Sequence, residues 1–197
     1  MDKIGIFGGS FNPVHLGHTN AVTNAYEQLG LDMVYAVVSN IPPHKQLENA
    51  PEAQSRLEMA RLAFEDLPYV QVSDIELRRG QVSYTVDTIA RIKQLHPQAQ
   101  IYLIVGYDMF KTLDKWKDAA RIFADAVIGV IYREKDENAD GIKADYETRF
   151  GAQIAYINAQ IVQVSSTEIR DRLKAGQQPK LLQDNVYNYI KERKLYE

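Results

Sequence analysis

The sequence predicts an α/β fold in which a doubly wound, mostly parallel sheet is flanked by helices. Three observations support this prediction. Short apolar runs recur along the chain, and segments with helical spacing separate them. Several of these runs are continuously apolar, which is typical of strands buried on both faces of a parallel sheet. Glycines and other turn-forming residues follow the runs, as expected where a strand turns into a helix.

The first half of the chain alternates strands with helices. Proline is tolerated in the first turn of a helix and glycine is a common C-terminal cap, so these residues indicate helix boundaries. The prolines of NIPPHKQ (40–46) exclude regular structure there. The predicted strands are KIGIFG (3–8), MVYAVVS (33–39) and YVQVS (69–73). The predicted helices run from near Pro13 to Leu29-Gly30, from about Pro51 to Asp66, and through SYTVDTIARIKQL (83–95).

The second half continues the alternation and ends in helices. EKDENADGIKADYE (134–147) is polar and charged, so it is predicted to be an exposed loop. The predicted strands are QIYLIVGYD (100–108), AVIGVIYR (126–133) and AQIAYI (152–157). The predicted helices are SSTEIRDRL (165–173) and LLQDNVYNYIKERKLY (181–196). Open sheets of this kind bind ligands at the carboxyl ends of their strands, and most residues singled out below follow a predicted strand.

The composition indicates one domain over residues 1–197, with a C-terminal helical portion from about 165 to 197. Apolar residues make up 45% and charged residues 25%, as in ordinary globular proteins. A net charge of −3 argues against a protein that coats nucleic acid, because such domains are usually basic. The absence of cysteine excludes disulfides and thiolate metal sites. No apolar stretch has the length of a signal peptide or a membrane span, so a cytoplasmic protein is expected.

The segment GGSFNPVHLGH (8–18) follows the first predicted strand and contains two histidines three residues apart. With a helix beginning near Pro13, His15 and His18 share one face of its first turn. A helix N-terminus attracts anions, and two imidazoles there would add donors to phosphate oxygens. A zinc site would need further ligands, which a chain without cysteine and with four histidines in all hardly offers. A purely structural histidine pair is the remaining alternative.

The segment SSTEIR (165–170) allows two interpretations. Ser165 with Glu168 three residues later fits a capping box, which is a structural role. The segment also places three hydroxyls at a helix N-terminus, those of Ser165, Ser166 and Thr167. With Arg170 four residues after Ser166, they would form a cradle for a polyphosphate. The dinucleotide-binding fingerprint and the P-loop are both absent from the chain, so neither of those phosphate sites is expected.

Five further candidates lie near strand ends or helix starts. Gly106 and Asp108 end the fourth predicted strand, where a carboxylate could hold a ribose hydroxyl. Lys45 offers a flexible charge for phosphate. Thr85 lies at a helix start, where capping is the default explanation. Trp116 is the only tryptophan, and its indole would either pack in the core or stack on a flat ligand ring.

Together these segments resemble the bacterial nicotinate mononucleotide adenylyltransferase family, within the HxGH nucleotidyltransferases. GGSFNPVHLGH resembles the family's G-G-[ST]-F-[DN]-P-x-H-x-G-H, and IPPHK resembles its second-strand loop. SYTVDT, GYDMFKTLDKW and SSTEIRDRL resemble S-Y-T-x-x-T, G-x-D-x-x-x-x-L-x-x-W and S-S-T-x-I-R. The HxGH element alone marks the superfamily, whereas the ordered set is much more specific. The resemblance covers nearly the whole chain and implies a Rossmann-like sheet of nucleotidyltransferase type.

The resemblance also implies an activity and a set of site residues. The activity is transfer of AMP from ATP to nicotinate mononucleotide in NAD biosynthesis, giving deamido-NAD and pyrophosphate. Mg²⁺ would be bound mainly through substrate phosphates, without a protein metal site. The implied catalytic residues are His15, His18 and Arg170. The implied ATP-binding residues are Gly8, Gly9, Ser10, Phe11, His15, His18, Gly106, Asp108, Ser165, Ser166 and Arg170. The implied mononucleotide-binding residues are Lys45, Thr85, Asp108 and Trp116.

Other functions stay open on the sequence. Within the superfamily the acceptor could be nicotinamide mononucleotide or phosphopantetheine, which the nicotinate-type segments fit less well. A module that senses adenine nucleotides without catalysis would be expected to lack an HxGH histidine or Arg170, and both are present. No nucleic acid or membrane partner is expected, and assembly into a homo-oligomer is left open. Lys117 departs from the family pattern, which usually has an aromatic residue at that position.

Overall fold

The structure, a computed structural model, describes residues 1–41, 50–132, 138–159 and 165–196. Its strands are β1 (Lys3–Gly9), β2 (Met33–Val38), β3 (Val70–Ser73), β4 (Gln100–Gly106), β5 (Val127–Tyr132) and β6 (Ile154–Asn158). Its helices are α1 (Leu16–Leu29), α2 (Ala53–Phe64), α3 (Ile75–Arg79), α4 (Thr85–Leu95), α5 (Tyr107–Phe110), α6 (Ala119–Asp125), α7 (Ala139–Phe150), α8 (Ser166–Lys174) and α9 (Asp184–Glu192), with a 3₁₀ turn at Leu113–Lys115. Within these residues no helix is both long and apolar enough to cross a membrane.

The strands form one parallel sheet in the order β3-β2-β1-β4-β5-β6. Ile4 of the central strand β1 lies opposite Met33 of β2 on one side and Ile101 of β4 on the other. The chain builds outward from β1 to β3, then crosses back and builds outward from β4 to β6. The carboxyl ends of β1 and β4 therefore meet at a topological switch point, where open parallel sheets bind ligands. The predicted doubly wound fold is confirmed.

Successive side chains along a strand point to opposite faces of the sheet, and a layer of helices covers each face. On one face α1, α2, α8 and α9 cover a cluster that includes Phe7 and Ile104. On the other face α4, α6 and α7 cover a cluster that includes Ile6 and Leu103. Because both faces of the sheet are covered, the central strands are almost continuously apolar, and all six strands were predicted to within two residues of their observed ends.

The predicted exposed loop over 134–147 is wrong where the structure describes it, because Ala139–Phe150 form α7. Residues 134–137 of that prediction lie outside the described residues. Only Ala139 and Tyr146 of the helix are buried, so its sequence has little apolar periodicity. Tyr146 fixes the helix to the core by packing edge-on against Phe110, with ring centroids 5.3 Å apart.

Three short helices and one helix start also differ from expectation. The sequence interpretation placed no helix at α3, α5 or α6, which span five, four and seven residues and are too short for a recognisable helical period. The first helix begins at Leu16 rather than near Pro13. His15 is therefore the N-cap of α1, and His18 occupies the third helical position.

Candidate active site

The turn after β1 leaves the carboxyl edge of the sheet open at the switch point. Gly8 is exposed, and a Cβ atom there would meet no other atom within 4 Å. Gly106 at the end of β4 has the same open space. Glycine at both positions lets a ligand approach the backbone. A Cβ at Gly9, in contrast, would lie 3.0 Å from the ring of Phe11, so a larger residue there would press on that buried ring.

His15 and His18 lie beside this turn and face each other. Their ring centroids are 3.8 Å apart, with the ring planes inclined at 33°. The buried ring of Phe11 packs edge-on against His18, with centroids 5.3 Å apart. The predicted shared face of the two histidines is therefore present, although the helix starts later than expected.

The two imidazoles differ in their hydrogen bonds. The backbone N–H of His15 donates to Nδ1 of His18 at 3.2 Å, so the neutral ring of His18 carries its proton on Nε2. His15 is 7% exposed, and burial lowers its pKa to about 4, so its ring is neutral at pH 7. Its Nδ1 is buried and has no hydrogen-bond partner within the described part of the chain.

Helix α8 docks its first turn on the chain between the glycine turn and the histidines. Ser166 Oγ donates to the carbonyl of Pro13 at 3.2 Å, and Arg170 Nη1 donates to the carbonyl of Asn12 at 2.8 Å. Arg170 Nη2 donates to Thr167 Oγ1 at 3.0 Å. The two bonds of Arg170 engage two of the five guanidinium N–H donors and fix the charged group against the loop that precedes the histidine pair.

Ser165 caps helix α8, which is the structural one of the two roles that the sequence allowed. Its Oγ accepts a hydrogen bond from the backbone N–H of Glu168 at 3.1 Å, so Ser165 is the N-cap of α8. The start of α8 is thus bonded to the loop that joins the glycine turn to the histidine pair.

Thr85 and Trp116 lie on segments that contact each other. Lys117 Nζ lies 4.2 Å from the centroid of the Tyr84 ring, which joins the segment after the 3₁₀ turn to the start of α4. Trp116 packs against the core on the sheet face that α4, α6 and α7 cover. It is only half-buried, so part of its side chain is accessible. Thr85 is the first helical residue of α4 rather than its cap, because Tyr84 occupies the N-cap position.

Asp108 and Lys45 are not brought into this arrangement by any described contact. Asp108 lies just after β4, but its side chain is 85% exposed and forms an ion pair with Lys111 at 2.8 Å. Lys45 lies outside the described residues.

The sequence interpretation missed Arg56, a buried cation close to the glycine turn. Arg56 is 2% exposed and donates to the carbonyl of Ser10 at 2.7 Å. A signal for it exists in the sequence. Arg56 precedes Met59, Ala60 and Ala63 by three, four and seven residues, which places a charged side chain on the apolar face of α2.

Known proteins resemble this chain in sequence over nearly its whole length, and a solved structure has the same fold. The Cytidylyltransferase-like family matches residues 6–172. The nicotinate-nucleotide adenylyltransferase of Bacillus subtilis is 34% identical over 199 residues, with 100% of both chains covered. A Dictyoglomus turgidum protein named "Probable nicotinate-nucleotide adenylyltransferase" is 37% identical over 195 residues, covering 98% of this chain and 95% of that protein. A solved structure of Plasmodium falciparum nicotinic acid mononucleotide adenylyltransferase complexed with NaAD has the same fold, with a TM-score of 0.83, 19% identity and coverage of 100% and 98%.

The residues matched by the family, 6–172, span the glycine turn, the histidine pair and the start of α8, and the two named relatives cover at least 98% of this chain at 34% and 37% identity. The chain belongs to the nicotinate-nucleotide adenylyltransferase family.

Proposed function

We propose that this protein transfers AMP from ATP to nicotinate mononucleotide, giving deamido-NAD and pyrophosphate in NAD biosynthesis. One observation carries the proposal: the His15–His18 pair and the start of α8 converge on an open glycine turn at the switch point of the sheet. Full-length relatives named for this activity support the choice of acceptor. The NaAD bound in a structure of the same fold is consistent with a dinucleotide product.

The reaction needs alignment more than acid–base catalysis. A phosphate oxygen of the mononucleotide, already ionised at neutral pH, attacks the α-phosphorus of ATP. The bond from that phosphorus to the oxygen bridging to the β-phosphate breaks, and pyrophosphate leaves. The protein must hold the two reactants in line and stabilise the charge that develops on the phosphoryl oxygens. No side chain has to accept a proton.

The residues beside the glycine turn suit that task. His18 donates from Nε2–H to a phosphate oxygen of ATP, and His15 acts as a neutral imidazole beside it. Arg170 contributes a fixed positive charge because its bonds to Asn12 and Thr167 hold the guanidinium in place. Ser166 and the N-terminus of α8 add backbone dipoles that favour an anion. The remaining ATP contacts are proposed for Gly8, Gly9, Ser10, Phe11, Gly106, Asp108 and Ser165.

The acceptor is proposed to bind on the side of Thr85 and Trp116. The accessible part of the Trp116 indole offers a stacking face for the pyridine ring. The first N–H groups of α4 lack a side-chain cap, and the ammonium of Lys117 is held nearby over Tyr84. A positive surface of this kind favours the nicotinate carboxylate over a neutral amide. Lys45 and Asp108 complete the proposed set of acceptor contacts.

Mg²⁺ is proposed to reach the site with the substrates. Within residues 1–41, 50–132, 138–159 and 165–196, no three histidine, aspartate or glutamate side chains are grouped so as to hold a metal ion. Magnesium commonly keeps several waters and binds through substrate phosphates, which fits this donor set. When bound, it would neutralise part of the triphosphate charge.

The test is pyrophosphate release with ATP and Mg²⁺, comparing nicotinate mononucleotide with nicotinamide mononucleotide. We expect rapid release with the nicotinate form and much slower release with the amide, and loss of release when Mg²⁺ is chelated. Equal rates with the two acceptors would keep the reaction but contradict the carboxylate recognition. No release with either acceptor would contradict the proposed function.

A further inference from the structure

Arg56 is an unusual residue for its place in the fold. It lies on the buried face of α2, near the positive N-terminal end of that helix. No carboxylate lies within ion-pair distance of its guanidinium among the described residues. Burial lowers the pKa of Arg56, which reflects the cost of holding its charge away from water. A long apolar side chain would fill the same space without that cost, so packing alone does not account for arginine here.

The hydrogen bonds of Arg56 join two loops at the carboxyl edge of the sheet. Nη1 donates to the carbonyl of Ser10 at 2.7 Å and to the carbonyl of Ser39 at 2.8 Å. Nη2 donates to the carbonyl of Asn40 at 3.5 Å. Ser10 follows the glycine turn after β1, and Ser39 and Asn40 follow β2. One planar group therefore bridges the ends of two neighbouring strands.

The loop after β2 is in turn bonded to the start of the acceptor side. The backbone N–H of Asn40 donates to Ser83 Oγ at 2.9 Å, and the backbone N–H of Ser83 donates to the carbonyl of Ile41 at 2.9 Å. Ser83 lies two residues before Thr85. Polar contacts thus run without interruption from the glycine turn, through Arg56 and residues 39–41, to the start of α4.

We propose that Arg56 is a positioning residue that fixes the spacing between the ATP loop after β1 and the acceptor side of the site. This role rests on the function proposed above. In-line attack needs the acceptor phosphate at a defined distance from the α-phosphorus, and each substrate is held by a different loop. Loss of the bridge therefore impairs the reaction of the two bound substrates more than the binding of either one.

The experiment compares Arg56→Met, Arg56→Lys and Arg61→Met. Arg61 is the matched control, because it lies on the same helix but is half-exposed and paired with Glu58. Initial rates of pyrophosphate release at 25 °C give kcat and both KM values. We expect Arg56→Met to lower kcat by about 10- to 100-fold, since a misplacement of about 1 Å can cost that much, with each KM changed by less than about threefold. Arg56→Lys keeps the charge but not the planar fork, so it should restore kcat only in part.

Two outcomes contradict the proposal. Normal kcat in Arg56→Met, with only a lower Tm, would make Arg56 a purely structural residue. Full rescue by Arg56→Lys would show that its charge, and not its bridge between the loops, is what matters. If Arg56→Met does not fold, Arg56→Lys decides: a reduced kcat at unchanged KM supports the bridge, and a normal kcat contradicts it.

A second measurement separates this role from the proposed function. Amide hydrogen exchange in the free protein needs no substrate. We expect faster exchange at residues 38–41 and 81–83 in Arg56→Lys than in Arg61→Met. Unchanged exchange there would overturn the bridge. If the wild-type protein released no pyrophosphate, the proposed function would fail, while hydrogen exchange would still test the bridge.

Discussion

His18 is the imidazole with a defined donor, because the N–H of His15 occupies its Nδ1 and leaves the proton on Nε2. Replacing His18 with alanine removes this donor to the developing phosphoryl charge. We expect kcat to fall by about two or more orders of magnitude. The fold should be retained, since His18 is only half-buried, and circular dichroism together with pyrophosphate release checks both expectations.

His96 is the matched control for His18. Its Nε2 is hydrogen-bonded to the Tyr35 hydroxyl at 2.8 Å, and it precedes β4 at the amino end of the sheet, away from the proposed site. His96→Asn should leave turnover near the wild-type value. Near-normal turnover in His18→Ala as well would remove His18 from the mechanism.

Trp116 is expected to contribute to binding of nicotinate mononucleotide and not to binding of ATP. Trp116→Ala removes the proposed stacking face, so the KM for nicotinate mononucleotide should rise by about tenfold, given that base–aromatic stacking is worth about 1–3 kcal/mol. The KM for ATP should change little. The exposed neighbour Lys115 is the control, and Lys115→Ala should change neither constant. An acceptor KM that does not respond to loss of the indole would assign Trp116 to core packing.

Site residues that directly follow a predicted strand could be identified from the sequence. The hydrogen bonds of buried polar side chains could not. Gly8, His15 and His18 stand in a short local pattern whose spacing already fixes their proximity. Arg56 contacts residues 17 and 46 positions away, and nothing local specifies such partners. Its position on the apolar face of α2 shows that it is buried but does not reveal what it bonds.

Helix α8 and the C-terminal segment after α9 share one anchor on the glycine-turn loop. The hydroxyl of Tyr196 donates to Oδ1 of Asn12 at 2.7 Å, while Arg170 binds the backbone carbonyl of the same residue. Tyr196→Phe would leave the buried Asn12 oxygen without this donor. The free energy of unfolding should therefore fall by about 1–3 kcal/mol, measured by urea denaturation.

Tyr187 on α9 provides the comparison for Tyr196→Phe. It is half-buried, and its hydroxyl makes no hydrogen bond within the described ranges. Tyr187→Phe should change the free energy of unfolding by less than about 0.5 kcal/mol. Equal effects of the two substitutions would show that the bond to Asn12 does not anchor the C-terminal segment.

Elements were predictable where burial leaves a long periodic pattern in the sequence. The central strands are buried on both faces, and helices such as α1 and α4 each bury one side, so these elements were predicted correctly. Helix α7 was missed because it has no apolar stripe. It is held to the core by Tyr146, which packs against Phe110 and donates to its carbonyl. The segment is rich in charged residues, such as Lys143 and Glu147, which form an ion pair at 3.9 Å, so its composition resembles that of a loop.

The parallel sheet explains why separate motifs could be assigned to one site before any distance was known. All strands point the same way, so every loop that follows a strand lies at the same edge. The loops after β1 and β2 meet there through Arg56, and α8 returns to the first of them through Arg170. The pattern of strands and helices in the sequence is therefore enough to place these loops at one edge of the sheet. The hydrogen bonds between the loops depend on tertiary packing and could not be predicted.

The free energy of unfolding should depend on pH through two buried groups, His15 and Glu76, whose effects have opposite signs. The pKa of His15 is lowered from 6.5 to about 4, so between these values the unfolded chain binds a proton that the folded chain does not. The free energy of unfolding therefore decreases as pH falls from about 6.5 to about 4, by up to about 3 kcal/mol. Burial raises the pKa of Glu76 above 4.5, so the folded chain keeps that proton longer. Its contribution to stability is instead lost as pH rises through the raised pKa.

Two substitutions separate these contributions, because neither replacement side chain titrates. His15→Asn should make the free energy of unfolding fall less steeply between about pH 6.5 and about pH 4.5 than it does in the wild type. Glu76→Gln can still accept from Thr88 Oγ1, which bonds Glu76 at 2.6 Å, but it removes the opposing proton, so stability should fall more steeply over the same range. Urea unfolding at several pH values measures both slopes. Parallel curves for all three proteins would mean that neither buried group keeps its shifted pKa, and that His15 does not stay neutral in the folded protein between about pH 6.5 and about pH 4.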